Sequence, residues 1–300
     1  MLDCGAVSLL PITPRLMTPA DVPAAAQVGR DALGALYPVE FQPASDAERE
    51  AHRVRSEARV GHLQQTDPEG AWVAETADGE VVGIALALVR EDVWGLSLFG
   101  VNPGLQGQGI GGPILDGSLR YAEGRRAAII LSSPDARAMR RYFRAGFAVR
   151  PCLAAAGAIN RSRLPAGLRA RPGDIEGDAE LIAAASRHVR TAEHGVDVGA
   201  LVRTGGELLV LDGGGWAVAR DGSPVLVAAF DDTAARDLLW SCFAAGPAGG
   251  AVHVDFVAQD NDWAIEVALD MGLALTPDGP IFTRGDLGPL APYLPSGAYL

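Results

Sequence analysis

The spacing of hydrophobic residues in the first half of the chain predicts helices interleaved with strands. Apolar side chains recur every three to four residues in two early segments, which is the period of a helix. Shorter apolar runs follow, and two of them flank Asp78-Gly79 as the arms of a hairpin. The predicted helices are 18–36, 45–65, 111–123 and 135–145, and the predicted strands are 71–75, 81–89, 93–101, 127–132 and, as a pair of short strands, 147–160. Thr18 and Asp21 have the spacing of a capping box at the first of these helices.

The second half repeats this plan and indicates an internal duplication. Helices are predicted from 174 and at 233–245 and 262–271, with strands at 207–211, 216–219, 225–230 and 252–257. Two short patterns occur twice in the same order, at 15–21 with 169–174 and at 135–146 with 261–272. We therefore expect two copies of one α/β (α+β) unit, a first domain at 1–163 and a second at 164–300 that ends in an apolar, proline-rich strap.

Composition excludes several classes of function. All 25 basic residues are arginine, so no lysine is present for a Gly-Lys-Ser/Thr phosphate loop or for a Schiff base with pyridoxal phosphate. The net charge of −12 argues against nucleic acid or an anionic membrane as the partner. The longest apolar run, 81–89, is shorter than the roughly 20 residues that a membrane-spanning helix needs.

The cysteines and histidines show no spacing typical of a disulfide framework or a metal site. Cys4, Cys152 and Cys242 are scattered, and the five histidines form no close cluster of ligands. The first residues lack the basic and apolar segments of a secretory signal. These observations favour a cytoplasmic protein without a metal.

The segment 106–112 carries the most informative chemistry. Its glycines, placed between a predicted strand and a predicted helix, allow main-chain N–H groups to approach a ligand at the positive end of that helix. Such a loop can hold a pyrophosphate without a lysine, although a glycine-rich turn of no function is the alternative. The residues are Gln106, Gly107, Gln108, Gly109, Ile110, Gly111 and Gly112.

A dinucleotide-binding loop of the NAD type is the weaker interpretation. Gly107, Gly109 and Gly112 match its glycine pattern. That site also requires an acid at the end of the next strand to bind the ribose, roughly 20 residues further on. The next strand is followed by Ser132-Ser133-Pro134, and no carboxylate precedes Asp135.

Two motifs resemble the GNAT superfamily of N-acetyltransferases. Residues 101–111 resemble its acetyl-CoA motif V-x-P-x-x-R/Q-G-x-G-I-G, and 135–147 resemble N-x-x-A-x-x-x-Y-x-x-x-G-F, with aspartate replacing asparagine. The resemblance covers about 13–160 and, more faintly, 168–285. It implies tandem GNAT-like units, each a mixed twisted sheet flanked by helices, and transfer of an acetyl group from acetyl-CoA to an amine.

The resemblance also implies roles for single residues. The strand that pairs with pantetheine is Leu98, Phe99, Gly100 and Val101, and the amides of 106–112 hold the pyrophosphate. Tyr142 would donate a proton to the departing thiolate, with packing against Phe143 and Phe147 as the alternative. Asp135 would begin the helix that carries this tyrosine and border the cofactor site.

The general base and the acceptor stay open. Glu40, Glu75, Glu91 and Asp92 are base candidates by position, and a water relay is an alternative. The second copy has no glycine loop and has Ala268 where Tyr142 would stand, which predicts a degenerate unit. The expected partner is an amine, a small molecule or a peptide, and a homodimer is possible in principle. A non-catalytic CoA-sensing or scaffold protein is the alternative function.

Overall fold

The computed structural model describes residues 12–36 and 45–300. The chain folds into two compact units that are interleaved along the sequence. Among the described residues, the first unit contains 12–36, 45–88 and 96–123, and the second contains 89–95 and 124–300. The domain boundary expected after residue 163 stays a prediction.

The first unit contains three helices and a run of strands in sequence order. Its strand order is β1-β2-β3-β4, and both β1–β2 and β2–β3 are antiparallel. The last residues of β3 and the first of β4 lie in the segment 89–95 of the second unit. The elements are β1 (Ile12–Leu16), α1 (Val22–Gly34), α2 (Asp46–Thr66), β2 (Ala71–Thr76), β3 (Val81–Arg90), β4 (Val93–Val101) and α3 (Gly111–Arg120).

Both early helices begin as their sequences predict. The Asp21 carboxylate accepts hydrogen bonds from the Thr18 amide at 2.7 Å and the Thr18 hydroxyl at 2.8 Å, in a short 3-10 turn before α1. At α2, the Ser45 hydroxyl accepts from the Glu48 amide at 3.1 Å, and the Glu48 carboxylate accepts from the Ser45 amide at 3.2 Å. The bonds at α2 are reciprocal and satisfy amides that a helix leaves without partners at its start, whereas both bonds at Thr18 run to the Asp21 carboxylate.

The second unit contains five helices and nine strands that lie wholly within it, counted over the described residues. They are β5 (Ala127–Leu131), α4 (Ala136–Arg144), β6 (Ala148–Ala158), β7 (Arg171–Pro172), α5 (Ala179–Arg190), α6 (Val196–Arg203), β8 (Glu207–Leu211), β9 (Gly215–Arg220), β10 (Ser223–Ala229), α7 (Asp232–Ala245), β11 (Ala251–Ala258), α8 (Asp262–Met271), β12 (Ala274–Gly285) and β13 (Tyr293–Leu294). The α/β class is confirmed, because helices flank the sheets.

Four of these strands alternate between the two halves of the sequence. Their order is β5-β12-β6-β11, and all three neighbouring pairs are antiparallel. β6 and β12 each follow the matching helix of their half, and they pair with each other at the centre, from Ala274 opposite Ala156 to Thr283 opposite Ala148. Each half therefore supplies a strand that lies beside the other half's strands.

The remaining strands form a separate five-stranded sheet in the order β13-β10-β9-β8-β7. Its core packs α7 and α8 against β8, β9, β10 and β11, with Trp263, Leu238 and Phe243 fully buried or nearly so. The last residues of the chain belong to this interior, since Leu294 is 2% exposed and Leu300 is 0% exposed. The expected strap is therefore packed against the second unit.

Three sequence predictions need correction. The segment 147–160 is one long strand, β6, and not a pair of short strands, because β12 and β11 pair along its two edges. The helix α6 and the strand β12 were not predicted.

Among the helices of residues 12–36 and 45–300, none combines the length and apolarity of a membrane span.

An ion pair between an arginine and an aspartate occurs before a helix in both halves, although Asp178 lies outside the repeated pattern at 169–174. In the first unit, Arg15 on β1 donates to Asp21 at 2.7 Å, just before α1. In the second unit, Arg171 on β7 donates to Asp178 at 2.7 Å, just before α5. An arginine on a strand thus binds the carboxylate that precedes the next helix in both halves.

Candidate active site

The glycine-rich loop connects the end of β4 to the start of α3. β4 ends at Val101, one 3-10 turn follows at Pro103–Leu105, and α3 begins at Gly111. The Gln106 side chain donates a hydrogen bond to the Val101 carbonyl at 3.1 Å. This contact fixes the direction in which the loop leaves the strand.

Four consecutive main-chain amides of this loop have no acceptor. Within the described part of the chain, the N–H groups of Gly107, Gln108, Gly109 and Ile110 donate to no protein atom. Gly107 and Gly109 have φ of +84° and +87°, and a Cβ at either position would meet no atom within 4 Å. Consecutive amides that share such a concave, open backbone form a site for an anion.

The start of α3 adds positive potential to these amides. Ile110 precedes the helix, and no side chain caps it. Its first N–H groups and the helix dipole therefore favour a negative ligand. The loop is anchored by Ile110 and Ile114, which pack with Val82 and Ala85 of β3. At Gly111 a Cβ would lie 2.9 Å from the Phe99 ring, so glycine allows the close contact between α3 and β4.

The matching helix of the second unit begins differently. The Asp231 carboxylate accepts a hydrogen bond from the Ala234 amide at 2.9 Å and so caps α7. The end of β10, which precedes this helix, pairs with β13, Val227 opposite Leu294 and Ala228 opposite Tyr293. The chain's own groups therefore satisfy the helix start and the strand edge in this unit.

The strand segment 98–101 packs closely against α1. A Cβ at Gly100 would lie 2.7 Å from Cβ of Ala32, and one at Gly29 would lie 2.8 Å from the Leu98 side chain. Glycine at 100 thus permits α1 to approach the strand. The two glycines place α1 directly over the strand that the resemblance assigns to pantetheine.

A contact that sequence reasoning missed ties α2 to the same strand. Arg59 Nε donates to Ser97 Oγ at 2.9 Å, and Arg59 Nη2 donates to the Ser97 carbonyl. Ser97 directly precedes the segment 98–101. The only sequence signal was the helical spacing of His52, Arg55 and Arg59, which also fits a solvated face.

Tyr142 lies in the second unit, on α4, and is nearly buried. Its side chain is 5% exposed, and its ring centre lies 5.4 Å from that of Phe282 in an edge-to-face contact. Desolvation raises the pKa of its hydroxyl well above the usual value, and the charge of Asp135 raises it further. The phenol therefore stays protonated at neutral pH. The neighbouring Phe143 is 64% exposed.

Asp135 also lies in the second unit and caps α4. Its carboxylate accepts from the Arg137 amide at 2.9 Å. Desolvation opposes ionisation of this carboxyl, but hydrogen bonds from the side chain and amide of Arg137 lower its pKa overall. Asp135 is thus ionised and serves as the helix cap that the motif suggests. The loop residues 106–112 belong to the first unit.

The structure weakens the predicted candidates for the general base. Glu75 is in an ion pair with Arg15, and Glu91 is in an ion pair with Arg187 that lowers its pKa. The Asp92 carboxylate accepts from the Arg126 amide at 3.2 Å. Glu40 lies outside the described residues. An ion-paired carboxylate with a lowered pKa is a poor acceptor for a proton.

Comparison with known proteins assigns a family to the segment around this loop. Residues 33–147 match the model of the acetyltransferase (GNAT) family. This match covers 115 of the 300 residues, so the likeness to the family belongs to this segment. No curated protein matches the sequence.

Solved structures share the fold over nearly the whole chain of 300 residues. A proposed acetyltransferase from Pyrococcus horikoshii superimposes with a TM-score of 0.76 at 14% identity, covering 99% of this chain and 98% of that one. A GCN5-related N-acetyltransferase from Sphaerobacter thermophilus gives 0.56 at 14% identity, with 93% and 98% covered. One from Kribbella flavida gives 0.53 at 15% identity, with 91% and 72% covered. At these identities the likeness concerns the fold alone.

No group of three or more metal-ligating side chains is present among the described residues.

Proposed function

We propose that this protein is an N-acetyltransferase that moves an acetyl group from acetyl-CoA to an amine. Bound acetyl-CoA supplies the thioester, which the amine attacks directly in a ternary complex. The GNAT domain match to residues 33–147 includes the glycine loop and Tyr142. The active unit would be the first copy, 1–163, and the copy at 164–300 would be degenerate.

The free amides of the loop are the observation that carries this proposal. Gly107, Gln108, Gly109 and Ile110 present four N–H groups without acceptors at an uncapped helix start. The pyrophosphate of acetyl-CoA has the charge and the oxygen acceptors to satisfy them. The start of α7 differs from the start of α3, because the Ala234 amide of α7 already donates a hydrogen bond to the Asp231 carboxylate.

Tyr142 is the proposed proton donor for the sulfur leaving group. A thiolate leaves more readily when a hydroxyl can donate to it, and this hydroxyl holds its proton because burial raises its pKa. The amine must lose a proton before it attacks. Since Glu75 and Glu91 are ion-paired, a water relay is the better candidate for that step.

The second copy would have a structural role. It has no glycine loop before α7, and the edge of β10 that matches the pantetheine strand is paired with β13. Its strand β12 lies between β5 and β6, so it completes the sheet that carries the Tyr142 helix. A CoA-sensing or scaffold protein without turnover stays the alternative.

Ligand-induced stabilisation separates these functions. Acetyl-CoA at about 100 times its Kd stabilises the folded state by about 2.7 kcal/mol, which raises Tm by about 5 °C for a chain of this size. We expect that shift with acetyl-CoA and none with NAD. Release of free CoA in the presence of a panel of primary amines would then show turnover.

Each other outcome contradicts part of the proposal. Stabilisation by NAD alone would favour the dinucleotide-binding alternative. Stabilisation by acetyl-CoA without CoA release from any amine would favour the sensor or scaffold.

A further inference from the structure

Two arginines on the helices α1 and α2 have no carboxylate partner among the residues that the structure describes. The other arginines of α2 are engaged: Arg49 binds Asp46, Arg53 binds Glu50 and Glu57, and Arg59 binds Ser97. Arg55 makes no hydrogen bond or ion pair within the described residues. On α1, Arg30 donates only to the Gln27 side chain, and its Nη1 is buried without an acceptor.

These two arginines lie on helices that pack against each other. His52 of α2 has its pKa lowered by desolvation and then by the charges of Arg55 and Arg30. The imidazole is therefore neutral at neutral pH and adds hydrogen-bonding capacity without charge. α1 and α2 are in contact here, since the Ser56 hydroxyl donates to the Ala26 carbonyl at 3.4 Å.

The two helices that carry these arginines both contact the strand where the thioester would be bound. Arg59 stands one helical turn after Arg55 and holds α2 on Ser97, directly before the segment 98–101. α1, which carries Arg30, covers that same segment through the close contacts at Gly29 and Gly100. All of these residues belong to the first unit, which also contains the glycine loop.

Among the described residues, no carboxylate neutralises either of these guanidinium groups. Burying an N–H donor without an acceptor has a free-energy cost, which an incoming acceptor would remove. Guanidinium groups bind oxyanions strongly because their planar N–H donors match carboxylate and phosphate oxygens.

We propose that Arg30 and Arg55 bind an anionic group of the acceptor, so that the substrate is an amine carrying a carboxylate or a phosphate. This inference rests on the proposed acetyltransferase function and defines its substrate class. Arg59 is a positioning residue, because it holds α2 against β4. The amine of such a substrate would reach toward the segment 98–101 while its anion stays on the arginines.

The test compares amines that differ only in the anionic group. β-Alanine is paired with β-alaninamide, and phosphoethanolamine with ethanolamine, in an assay of CoA release from acetyl-CoA. We expect kcat/KM to be at least about 10-fold higher for one anionic member than for its neutral partner. The pair that shows the preference distinguishes a carboxylate from a phosphate.

Substitution of Arg55 tests the assignment to these side chains. Arg55→Gln should lower kcat/KM for the preferred anionic amine by about 10- to 100-fold and leave the neutral partner unchanged. Arg53→Gln is the matched control on the same helix, because that arginine already binds Glu50 and Glu57. The KM for acetyl-CoA and the Tm of Arg55→Gln should stay at wild-type values.

Several results would overturn the inference. Equal rates for charged and neutral amines would do so, as would equal losses in Arg53→Gln and Arg55→Gln. If no amine releases CoA, the proposed function fails first. The subsite is then judged by calorimetric titration of β-alanine and phosphoethanolamine: binding that Arg55→Gln abolishes supports the subsite, and no binding to the wild type rejects it.

Discussion

The packing of Tyr142 in the tertiary structure changes the pKa of its hydroxyl. Its position in a sequence motif identifies Tyr142 as a candidate proton donor. A phenol on an exposed helix face, however, would not take part in a specific proton transfer. Contact with Phe282 on β12 buries the ring and raises the pKa of the hydroxyl. The second half of the chain thus provides the environment of a residue in the first half.

At this scale the proposed donor can be tested by removing one oxygen. Tyr142→Phe should lower kcat by about 100-fold or more, since positioned proton donors contribute factors of this size. The KM for acetyl-CoA should hardly change, and the edge-to-face contact with Phe282 is retained. Steady-state CoA release with a reactive amine measures both constants.

Phe143→Leu is the control for this substitution, because Phe143 is the next residue and is largely exposed. It should turn over at the wild-type rate. Undiminished turnover in Tyr142→Phe would show that another group donates the proton.

At the scale of elements, the starts of α3 and α7 differ in the groups that they offer to a ligand. α3 follows a loop whose amides are free, whereas α7 follows a short connection in which Asp231 already accepts from Ala234. The same architecture can therefore present or hide an anion site according to a few loop residues. An added carboxylate satisfies the helix start and also repels a phosphate.

Glycine substitutions can separate the effect of the loop on acetyl-CoA binding from the effect of a strained backbone on stability. Gly109→Ala should weaken acetyl-CoA binding by about 10-fold or more, because a Cβ at positive φ strains the loop that presents the amides. Calorimetric titration with acetyl-CoA measures the change in Kd, and urea unfolding measures stability.

Gly124→Ala is a matched control with the same backbone requirement. Gly124 has φ of +75° and open space around its Cβ position, as Gly109 does. Both variants should lose about 1 kcal/mol of stability, whereas only Gly109→Ala should lose affinity. Equal Kd values for the two would place the cofactor elsewhere.

Considered as a whole, the second unit depends on contacts between distant parts of the sequence. β12 lies between β5 and β6, and β13 extends the second sheet beside β10. A Cβ at Gly95 would lie 1.9 Å from the Leu300 side chain, so the end segment packs against β4 residues of this unit. The last residues therefore contribute to the core of the unit.

Truncating one side chain of this segment tests that contribution. Leu294→Ala should lower the free energy of unfolding by about 2–5 kcal/mol, because Leu294 lies within the core around α7. Urea unfolding gives the value. Leu269→Ala, at a site 52% exposed on α8, should change it by no more than about 0.5 kcal/mol. A small effect at Leu294 would mean that the segment only covers the surface.

The candidate site was predicted unevenly. The loop at 106–112, the position of Tyr142 and the helix cap at Asp135 follow from short motifs, in which neighbouring residues carry the information. The contact of Arg59 with Ser97 was not predicted. These residues are 38 positions apart, and the spacing of residues along a short segment contains no information about such a distant contact. The base candidates were chosen by their rough position in the sequence. The ion pairs of Glu75 with Arg15 and of Glu91 with Arg187 were not predicted either, for the same reason.

The sequence by itself determined the local features of this protein. The apolar period gave the helices and most strands, the box residues set the starts of α1 and α2, and glycine at positive φ shaped the loop. Only the tertiary structure decided that β6 is one strand with β12 beside it, and that Tyr142 is buried. Local conformation depends on each residue and its near neighbours, whereas strand pairing and burial depend on segments far apart in the chain.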